Sequence, residues 1–458
     1  MSRPRPPRAL PTGRVRRTAI PAAVLLRSGA AQALAAARAL TRGEASAREI
    51  LADQRLAASA ERAARTMGDM KGAVMKIGQL LSFVDTDLVP PAYRQALATL
   101  QADAPPMPSE LVDAVVTAEL GAPPNAIFSF FSPNPIAAAS IGQVHMARLP
   151  PPNGAAEEIE LVVKVQYPGV AEAIEADLNN AALLSMIGTF AKTLLRPIVA
   201  DVDFDAIVQE IRDRVTEELD YRIELANQQE FVDLYRDHPW IQVPNVVPEL
   251  STERVLTMEY VDAMRWAAAL EQPQELRNKW GLTIARFVFG SLYKHHLFNA
   301  DPHPGNYLFH EDGRVTFLDF GCVKHFSPEL IRAETEMINA VRSGDKDRIL
   351  DAFVGVGMLK TREGLHEPTL LEFIRRAYDP VIAEQPYTYT REWAAAQMQD
   401  LFDIKVSANE RNMIRRVDMP PNQVFMLRIS AGLQSVLADL GATINWDDLG
   451  DELGLWSG

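Results

Sequence analysis

Two short polar segments constrain this chain more than any other feature. The first reads Asn-Ala-Asp-Pro-His-Pro-Gly-Asn over residues 299–306, and the second reads Leu-Asp-Phe-Gly over residues 318–321. They place Asp301, then Asn306 five residues later, then Asp319 thirteen residues beyond that. Phosphoryl transfer from a nucleotide uses such a set, because one carboxylate positions the acceptor hydroxyl while an amide and a second carboxylate hold the metal ions. We therefore predict that Asp301 is catalytic and that Asn306 and Asp319 bind Mg²⁺.

The residues between these segments predict a β-hairpin. Strand-forming runs at 307–309 and 315–318 flank the sequence His-Glu-Asp-Gly-Arg, which has Gly313 in the turn. A hairpin of this size would bring Asn306 and Asp319 side by side at the ends of its two strands. The alternative, a polar loop followed by a chance Asp-Phe-Gly, explains less of the chain.

A lysine within an apolar strand is the next informative feature. Lys164 lies in the run Leu-Val-Val-Lys-Val at 161–165, where a charge is costly unless it is paired. The chain has ten Lys against thirty-six Arg, so a lysine retained here indicates a specific role for a compact charge. The run resembles the Val-Ala-Ile-Lys strand of protein kinases, whose lysine contacts the nucleotide phosphates.

The partner of Lys164 should be an acid on a helix downstream. Apolar residues recur at helical spacing from about Phe204 to Tyr235, and most acids there would form a solvated face. On one helix Glu218 and Glu224 would lie about 240° apart, so they need different partners. We predict that Glu224 pairs with Lys164.

Two further segments resemble the nucleotide-binding parts of protein kinases. The first has alanine where the phosphate-covering loop of kinases has glycine, which should stiffen it; its members are Ala137, Ala138, Ala139, Ser140, Ile141, Gly142, Gln143 and Val144. The second is an apolar strand over 256–261 that resembles the hinge contacting adenine. There, Met258 takes the gatekeeper-like position, and the main chains of Glu259 and Val261 are expected to contact the base.

Four local patterns together resemble the UbiB/AarF family of atypical, protein-kinase-like proteins. They are Lys-Ile-Gly-Gln at 76–79, the alanine-rich loop ending in Ser-Ile-Gly-Gln-Val-His at 140–145, Glu-Leu-Asp at 218–220, and Ala-Asp-Pro-His-Pro-Gly-Asn at 300–306 with its Asp-Phe-Gly turn. The resemblance spans residues 76–321, just over half of the chain. It implies an α+β, two-lobed protein-kinase-like fold, with an N-terminal helical extension lying over the cleft where a protein substrate would dock.

The segment around Lys76 has two interpretations. An apolar stripe of Met67, Met70, Val74, Ile77 and Leu81 predicts an amphipathic helix. From spacing alone, Lys76 and Gln79 read as surface residues beside that stripe. The family resemblance implies instead that they point into the nucleotide cleft and engage Glu218 and Asp220.

His303 stands two positions after Asp301, where many protein kinases have a basic residue. An imidazole is only partly charged near neutral pH. Two roles are therefore equally compatible with the sequence: His303 takes part in phosphoryl transfer, or it is a turn residue hydrogen-bonded to the main chain.

Composition limits the binding partners and the cellular compartment that we expect for the protein. The formal net charge of −14 argues against nucleic acid as the main partner. The single cysteine, Cys322, excludes an internal disulfide and fits a reducing compartment. The apolar stretch from Ala181 to Ala191 is too short to cross a bilayer, so we predict no membrane span and a cytoplasmic protein, with peripheral membrane contact left open.

The first 43 residues contain nine Arg and no acid, with prolines at 4, 6, 7 and 11. They predict a disordered basic arm followed by an alanine-rich helix from about Ala22 to Leu40. An organelle transit peptide is a minority alternative, because such peptides are arginine-rich and acid-poor. Attraction to anionic lipid, worth about 1 kcal/mol per basic residue near the surface, is another.

The predicted organisation has four parts. Residues 1–43 form the basic arm and alanine-rich helix, and 44–125 form the family-specific helical extension. Residues 126–261 form the kinase-like N-lobe, and 262–458 form the C-lobe with C-terminal helices.

The function predicted from these patterns is an ATP- and Mg²⁺-dependent atypical kinase or ATPase, which the resemblance links to isoprenoid-quinone or lipid metabolism. The alternative is a non-catalytic nucleotide-binding scaffold, and the presence of Lys164, Asp301, Asn306 and Asp319 favours the enzyme. The sequence leaves four candidates for the acceptor of the phosphoryl group: a lipid, a small molecule, a protein or water. A small-molecule kinase of the aminoglycoside type fits less well, because it lacks the Lys76 and alanine-rich patterns.

Overall fold

The structure, a computed structural model, describes residues 106–139, 141–151, 157–172, 174, 216–299, 303–359, 361, 367–402 and 421–456. The chain divides into two compact units. Among the described residues, the first unit holds those from 106 to 174 together with 216–220 and 250–257, and the second holds the remainder. The four domain boundaries expected from the sequence stay predictions.

The described elements in chain order are α1 (Ser109–Leu120), α2 (Pro124–Ile127), β1 (Phe130–Phe131), β2 (Ala137–Ala138), β3 (Gly142–Leu149), β4 (Ile159–Gln166), α3 (Tyr221–Tyr235), β5 (Ile241–Gln242), β6 (Val255–Glu259), α4 (Trp266–Leu270), α5 (Gln274–His295), β7 (Leu297–Asn299), β8 (Tyr307–Phe309), β9 (Val315–Phe317), β10 (Val323–His325), α6 (Pro328–Ser343), α7 (Lys346–Gly355), α8 (Glu367–Ala377), α9 (Asp379–Ile382), β11 (Tyr387–Thr388), α10 (Arg391–Phe402), α11 (Pro421–Leu440), β12 (Thr443–Ile444) and α12 (Trp446–Leu453). Short 3₁₀ turns occur at Pro248–Leu250 and Pro304–Asn306.

A five-stranded sheet forms most of the first unit, and its strand β6 belongs to this unit as far as Thr257. Its order is β1-β3-β4-β6, and β2 also pairs with β3. Strands β3 and β4 are antiparallel along their whole length, with Gly142 opposite Gln166 and Leu149 opposite Ile159. Because side chains alternate along a strand, this register sorts the residues of both strands onto two faces.

The two faces of β3 and β4 differ in burial. One face is fully buried, and its members are Gln143, His145, Ala147, Leu161, Val163 and Val165. Helix α1, whose Val112, Val115 and Val116 are buried, lies against β4. The other face carries half-buried side chains, including Val144 directly opposite Lys164. Lys164 therefore lies on the opposite face of the sheet from Gln143.

A chain of buried polar groups runs through the first face. The Met107 N–H donates to Gln143 Oε1 (2.8 Å), and Gln143 Nε2 donates to His145 Nε2 (2.8 Å). The proton of the neutral imidazole is then on Nδ1, which donates to the Ser132 carbonyl (2.7 Å). Burial lowers the pKa of His145 by more than the Ser132 carbonyl and the Asp113 carboxylate raise it. The arrangement requires the neutral ring, because a protonated Nε2 could not accept from Gln143.

Gly142 at the start of β3 allows the two strands to approach closely. A Cβ at this position would lie 2.3 Å from the carbonyl oxygen of Val165, a main-chain atom that cannot move aside without breaking the sheet pairing. Glycine is therefore a steric requirement of the β3–β4 register at this point.

The core of the second unit forms around α5. Its buried residues include Trp280, Ile284, Phe287, Val288 and Leu292. Phe287 stacks on Phe317 of β9 with ring centroids 3.7 Å apart, and the indole N–H of Trp280 donates to the His310 carbonyl (2.9 Å). Helix α5 thereby supports the strands that carry the predicted metal ligands. The helix ends at His295, and the C-cap residue His296, in a left-handed conformation (φ 58°), leads into β7.

Three small sheets belong to this unit: β5-β9-β8, the pair β7–β10, and the pair β11–β12. Helices α11 and α12 pack on α5, and Arg286 of α5 makes two hydrogen bonds to Glu452 of α12 (2.6 and 2.8 Å). Every helix in the described ranges is too short or too polar to span a bilayer.

The helix expected from about Phe204 to Tyr235 is wrong in its extent. Residues 204–215 lie outside the described part, but residues 218–219 form a turn and α3 begins only at Tyr221. Glu218 therefore precedes the helix that carries Glu224. The two acids are therefore not related by an angle on one helix, although they do lie in different surroundings, Glu218 half-buried in a turn and Glu224 buried on α3.

The neutral His145 predicts a pH-dependent contribution to stability. Folding lowers the pKa of this residue, so below about pH 6.5 the unfolded chain binds a proton that the folded chain does not. The contribution is complete above that pH and decreases as the pH falls towards the folded-state pKa. Between pH 7.5 and 5.5, the free energy of unfolding of His145→Gln should fall less than that of the parent in urea titrations. His325→Gln, which removes an exposed histidine bonded to Glu230 (3.1 Å), is the control variant. Equal slopes for His145→Gln and the parent would contradict the assignment.

Candidate functional site

A hairpin positions the two predicted metal ligands. Strands β8 and β9 are antiparallel, with Tyr307 opposite Phe317. Beyond that pair the Leu318 N–H donates to the Asn306 carbonyl (3.0 Å), so Asn306 is hydrogen-bonded to the residue before Asp319. Gly313 in the turn has φ 98°. The hairpin predicted from the sequence is confirmed.

The Asp-Phe-Gly turn that follows is fixed by hydrogen bonds. The Gly321 N–H donates to Asp319 Oδ1 (3.0 Å). The Asn299 side chain donates from Nδ2 to the Asp319 carbonyl (2.6 Å), and the Asn227 side chain donates to the Phe320 carbonyl (2.9 Å). Phe320 itself is fully buried. The orientation of the Asp319 carboxylate is therefore set by the main chain around it.

Asn306 ends the 3₁₀ turn at Pro304–Asn306. Nδ1 of His303 accepts from the Gly305 N–H (3.0 Å), and the Asn306 N–H donates to the His303 carbonyl (2.9 Å). These contacts favour the turn role for His303. Asp301 lies outside the described residues, so its catalytic role stays a prediction.

The donor atoms of Asn306 and Asp319 suit Mg²⁺. This ion prefers hard oxygen ligands and is commonly held by one or two protein carboxylates together with substrate phosphates and water. In the part of the chain that the structure describes, no group of three or more His, Cys, Asp or Glu is arranged to hold a metal. One carboxylate and one amide oxygen would leave the remaining Mg²⁺ ligands to phosphate oxygens and water.

Lys164 and Glu224 belong to different units. Lys164 is half-buried on β4 in the first unit. Glu224 lies in the first turn of α3 in the second unit, and only 5% of it is exposed. A carboxylate buried to this degree needs a charged or hydrogen-bonding partner. The ion pair between Lys164 and Glu224 stays a prediction.

The alanine-rich segment forms a tight hairpin. Ala137 and Ala138 pair with Val144 and Gln143, and the Ala139 N–H donates to the Gly142 carbonyl (2.9 Å). The buried Ile141 accepts from the Tyr167 N–H at its carbonyl (2.9 Å). Ser140 lies outside the described residues.

Gln143 lies within this predicted nucleotide loop, but its side chain is buried and bonded to Met107 and His145. A nucleotide contact by Gln143 would have to use its main chain. The nucleotide-binding role of the whole loop stays a prediction.

The predicted hinge is well packed. Met258 is 6% exposed, and its sulfur accepts from Gln228 Nε2 (3.5 Å). The Glu259 N–H donates to the Asn245 carbonyl (2.9 Å), so a base contact by Glu259 would use its own carbonyl. Val261 is half-buried. Contacts between these three residues and adenine stay predictions.

Glu218 and Asp220 flank a buried anchor. Leu219 between them is buried, and its carbonyl accepts from Gln166 Nε2 (2.9 Å), which also donates to the Glu253 carbonyl (3.3 Å). The two half-buried acids are thereby held at the end of β4. Lys76 and Gln79 lie outside the described residues, and their contacts with these acids stay predictions.

Sequence reasoning gives no role to three side chains of the site: Asn227, Asn299 and Gln166. Each donates a hydrogen bond to a main-chain carbonyl that is distant in the sequence. The separation is 93 positions for Asn227, 20 for Asn299 and 53 for Gln166. Only Asn299 could have been noticed, because it directly precedes the 300–306 motif.

Comparison with known proteins places these features in a family. A model of the ABC1 atypical kinase-like domain matches residues 99–353. The chain is 31% identical to the mitochondrial atypical kinase COQ8B of Rattus norvegicus, over 86% of this chain and 71% of that protein. It is 29% identical to the mitochondrial atypical kinase coq-8 of Caenorhabditis elegans, over 86% of this chain and 51% of that protein. The chain thus spans about half the length of the second relative.

A solved structure is also similar over most of the chain. The Mycobacterium tuberculosis protein Rv3197, determined in complex with erythromycin, is 30% identical, with a TM-score of 0.63. The match covers 90% of this chain and 98% of that one. Together with the domain match and the hairpin that presents Asn306 and Asp319, these similarities show that the chain belongs to the ABC1, or UbiB/AarF, family of atypical kinase-like proteins.

Proposed function

We propose that this protein is an atypical kinase or ATPase that binds ATP with Mg²⁺ and transfers or hydrolyses its terminal phosphate. The observation that carries the proposal is the hairpin that joins Asn306 to the residue before Asp319, with the Asp319 carboxylate oriented by Gly321. The relatives that match most of the chain are named atypical kinases.

Each predicted residue has a part in this proposal. Asn306 and Asp319 would hold Mg²⁺, which when bound neutralises charge on the phosphates. Asp301 would accept the proton of the attacking hydroxyl or water. Lys164, fixed by Glu224, would contact the phosphates under the loop 137–144. The hinge residues Met258, Glu259 and Val261 would bind the base.

For the acceptor of the phosphoryl group we propose a chemical class. The family resemblance favours a role in isoprenoid-quinone or lipid metabolism, so a lipid or a small molecule near a lipid surface is the first candidate, and protein or water the second. The names of the two eukaryotic relatives place those proteins in mitochondria. For this chain we propose peripheral contact with a membrane.

The catalytic role of Asp301 is tested by Asp301→Asn. Its carboxylate acts only when the acceptor is activated, so the variant should keep nucleotide binding and lose turnover by about 100-fold or more. Nucleotide binding and phosphate release should be measured in parallel, with and without vesicles that contain candidate lipids. A parent protein that binds nucleotide but turns over no faster than Asp301→Asn would support a scaffold instead of an enzyme.

The metal role of Asp319 predicts a different outcome for Asp319→Asn. Asp319 would hold the Mg²⁺ that neutralises charge on the nucleotide phosphates, so thermal stabilisation by Mg-nucleotide should vanish in the variant while the protein alone still unfolds cooperatively. Asp312→Asn is a matched control, because Asp312 lies in the turn of the same hairpin and bonds Arg314 in solvent. Equal stabilisation of the Asp319 variant and the control would show that the metal assignment is wrong.

We also propose that Lys76 and Gln79 engage Glu218 and Asp220 and so exclude a protein substrate. Removing one member of a partly buried charge pair strands the other. Lys76→Ala should therefore change nucleotide affinity or selectivity and increase the protease sensitivity of the preceding segment. Lys71→Ala, five residues upstream, should do neither. Unchanged nucleotide binding together with unchanged proteolysis in Lys76→Ala would remove this proposal.

A further inference from the structure

One peptide group in the metal-binding turn makes two hydrogen bonds. Between residues 320 and 321, the carbonyl of Phe320 accepts from Asn227 Nδ2 (2.9 Å), and the N–H of Gly321 donates to Asp319 Oδ1 (3.0 Å). The peptide is planar and trans, so its C=O and N–H point in opposite directions. Whatever fixes the carbonyl therefore also fixes the direction in which the N–H meets the carboxylate.

This peptide needs an external constraint. Gly321 has no Cβ to restrict rotation beside it. The Phe320 ring is fully buried, with its centroid 4.8 Å from that of Phe231, and this packing holds the side chain. A peptide plane can nevertheless turn through compensating changes in the dihedral angles on either side while the flanking side chains stay in place. The Asn227 amide opposes that rotation, because turning the peptide would withdraw the half-buried carbonyl from its donor.

The preceding peptide is held in the same way from another element. Asn299 at the end of β7 donates to the Asp319 carbonyl (2.6 Å). Two successive carbonyls of the turn therefore each accept from a side-chain amide, one on α3 and one on β7. On α3, Asn227 lies three residues after Glu224, so the helix that carries Glu224 is tied to the turn that carries Asp319.

We propose that Asn227 is a positioning residue for the metal-binding carboxylate of Asp319, and that it acts through the peptide between Phe320 and Gly321. Asn299 fixes the adjoining peptide in support. This inference rests on the proposed function, because it takes Asp319 to be a ligand of Mg²⁺ shared with a nucleotide. Mg²⁺ demands near-ideal octahedral geometry whereas Ca²⁺ tolerates irregular sites, so a misaligned carboxylate should weaken Mg²⁺ binding more than Ca²⁺ binding.

The test is a metal titration of nucleotide-dependent thermal stabilisation in the full-length protein. With ATP held constant, the Mg²⁺ concentration for half-maximal stabilisation should rise about tenfold or more in Asn227→Ala, as is typical when a group that orients a metal ligand is lost. The corresponding Ca²⁺ concentration should rise by a clearly smaller factor. Gln229→Ala is the matched control on the same helix, because the Gln229 side chain bonds the exposed Asp233 (3.2 Å) and should leave both titrations unchanged.

A second variant separates positioning from general loss of structure. Asn299→Ala should shift the Mg²⁺ titration in the same direction, and the shift in the double variant should be smaller than the product of the single shifts, because both act on one turn. If Asn227→Ala does not fold, Asn227→Ser replaces it with the same expectation.

The outcomes separate the two proposals. A parent that gains no metal-dependent stabilisation from ATP overturns the proposed function and this inference with it. A parent that responds to Mg²⁺ while the Asn227 variant titrates like Gln229→Ala overturns this inference alone. An increase by the same factor in the half-maximal Mg²⁺ and Ca²⁺ concentrations of the Asn227 variant would also overturn this inference. Such a result would indicate that the substitution destabilises the structure around the turn in general.

Discussion

The hydrogen bond from the Leu318 N–H to the Asn306 carbonyl closes the hairpin on which the candidate site depends. It brings Asn306 close to Asp319, which lies thirteen positions further along the chain. The hairpin in turn rests on α5, where Phe287 stacks against Phe317 and the indole ring of Trp280 lies 5.1 Å from the ring of Phe309. The positions of the two predicted metal ligands thus depend on the aromatic core of the second unit, so large changes in that core should displace them.

Strand β3 of the first unit directs its side chains to two different faces of the sheet. Along β3, Gln143 and His145 face the buried side, where they hold Met107 and Ser132. Val144 between them faces the other side, opposite Lys164. The period of two in a strand makes this division automatic, and Gly142 maintains the register by allowing contact with Val165. Gln143 of the loop motif is therefore buried in the structure, while Val144 beside it lies on the face that carries Lys164.

The parts of the site that the sequence predicted are local in the chain. The hairpin from Tyr307 to Phe317 was predictable because strand-forming residues and a turn glycine lie within eleven positions. The helix through Glu218 was mispredicted because apolar residues kept their spacing across a turn. That turn is held by Gln166, which lies 53 residues away from Leu219. Hydrogen bonds between residues so far apart leave no periodic pattern in the sequence.

Contacts to main-chain carbonyls were the least predictable. Asn227 and Asn299 bond to peptide groups, which every residue carries, so no residue type marks their partners. Gln143 was assigned to the nucleotide from its place in the loop motif, yet its side chain binds Met107, 36 positions upstream. Polar side chains near a motif need the folded structure to show which of them face the ligand.

Asn306 and Asp319 are proposed to form one metal site with a bound nucleotide. Crystals grown with Mn²⁺, an anomalous scatterer that takes similar oxygen ligands, and a non-hydrolysable ATP analogue test it directly. We expect an anomalous peak within about 2.2 Å of side-chain oxygens of both residues, with phosphate oxygens completing the site. A bound nucleotide whose metal lies away from Asp319 would contradict it.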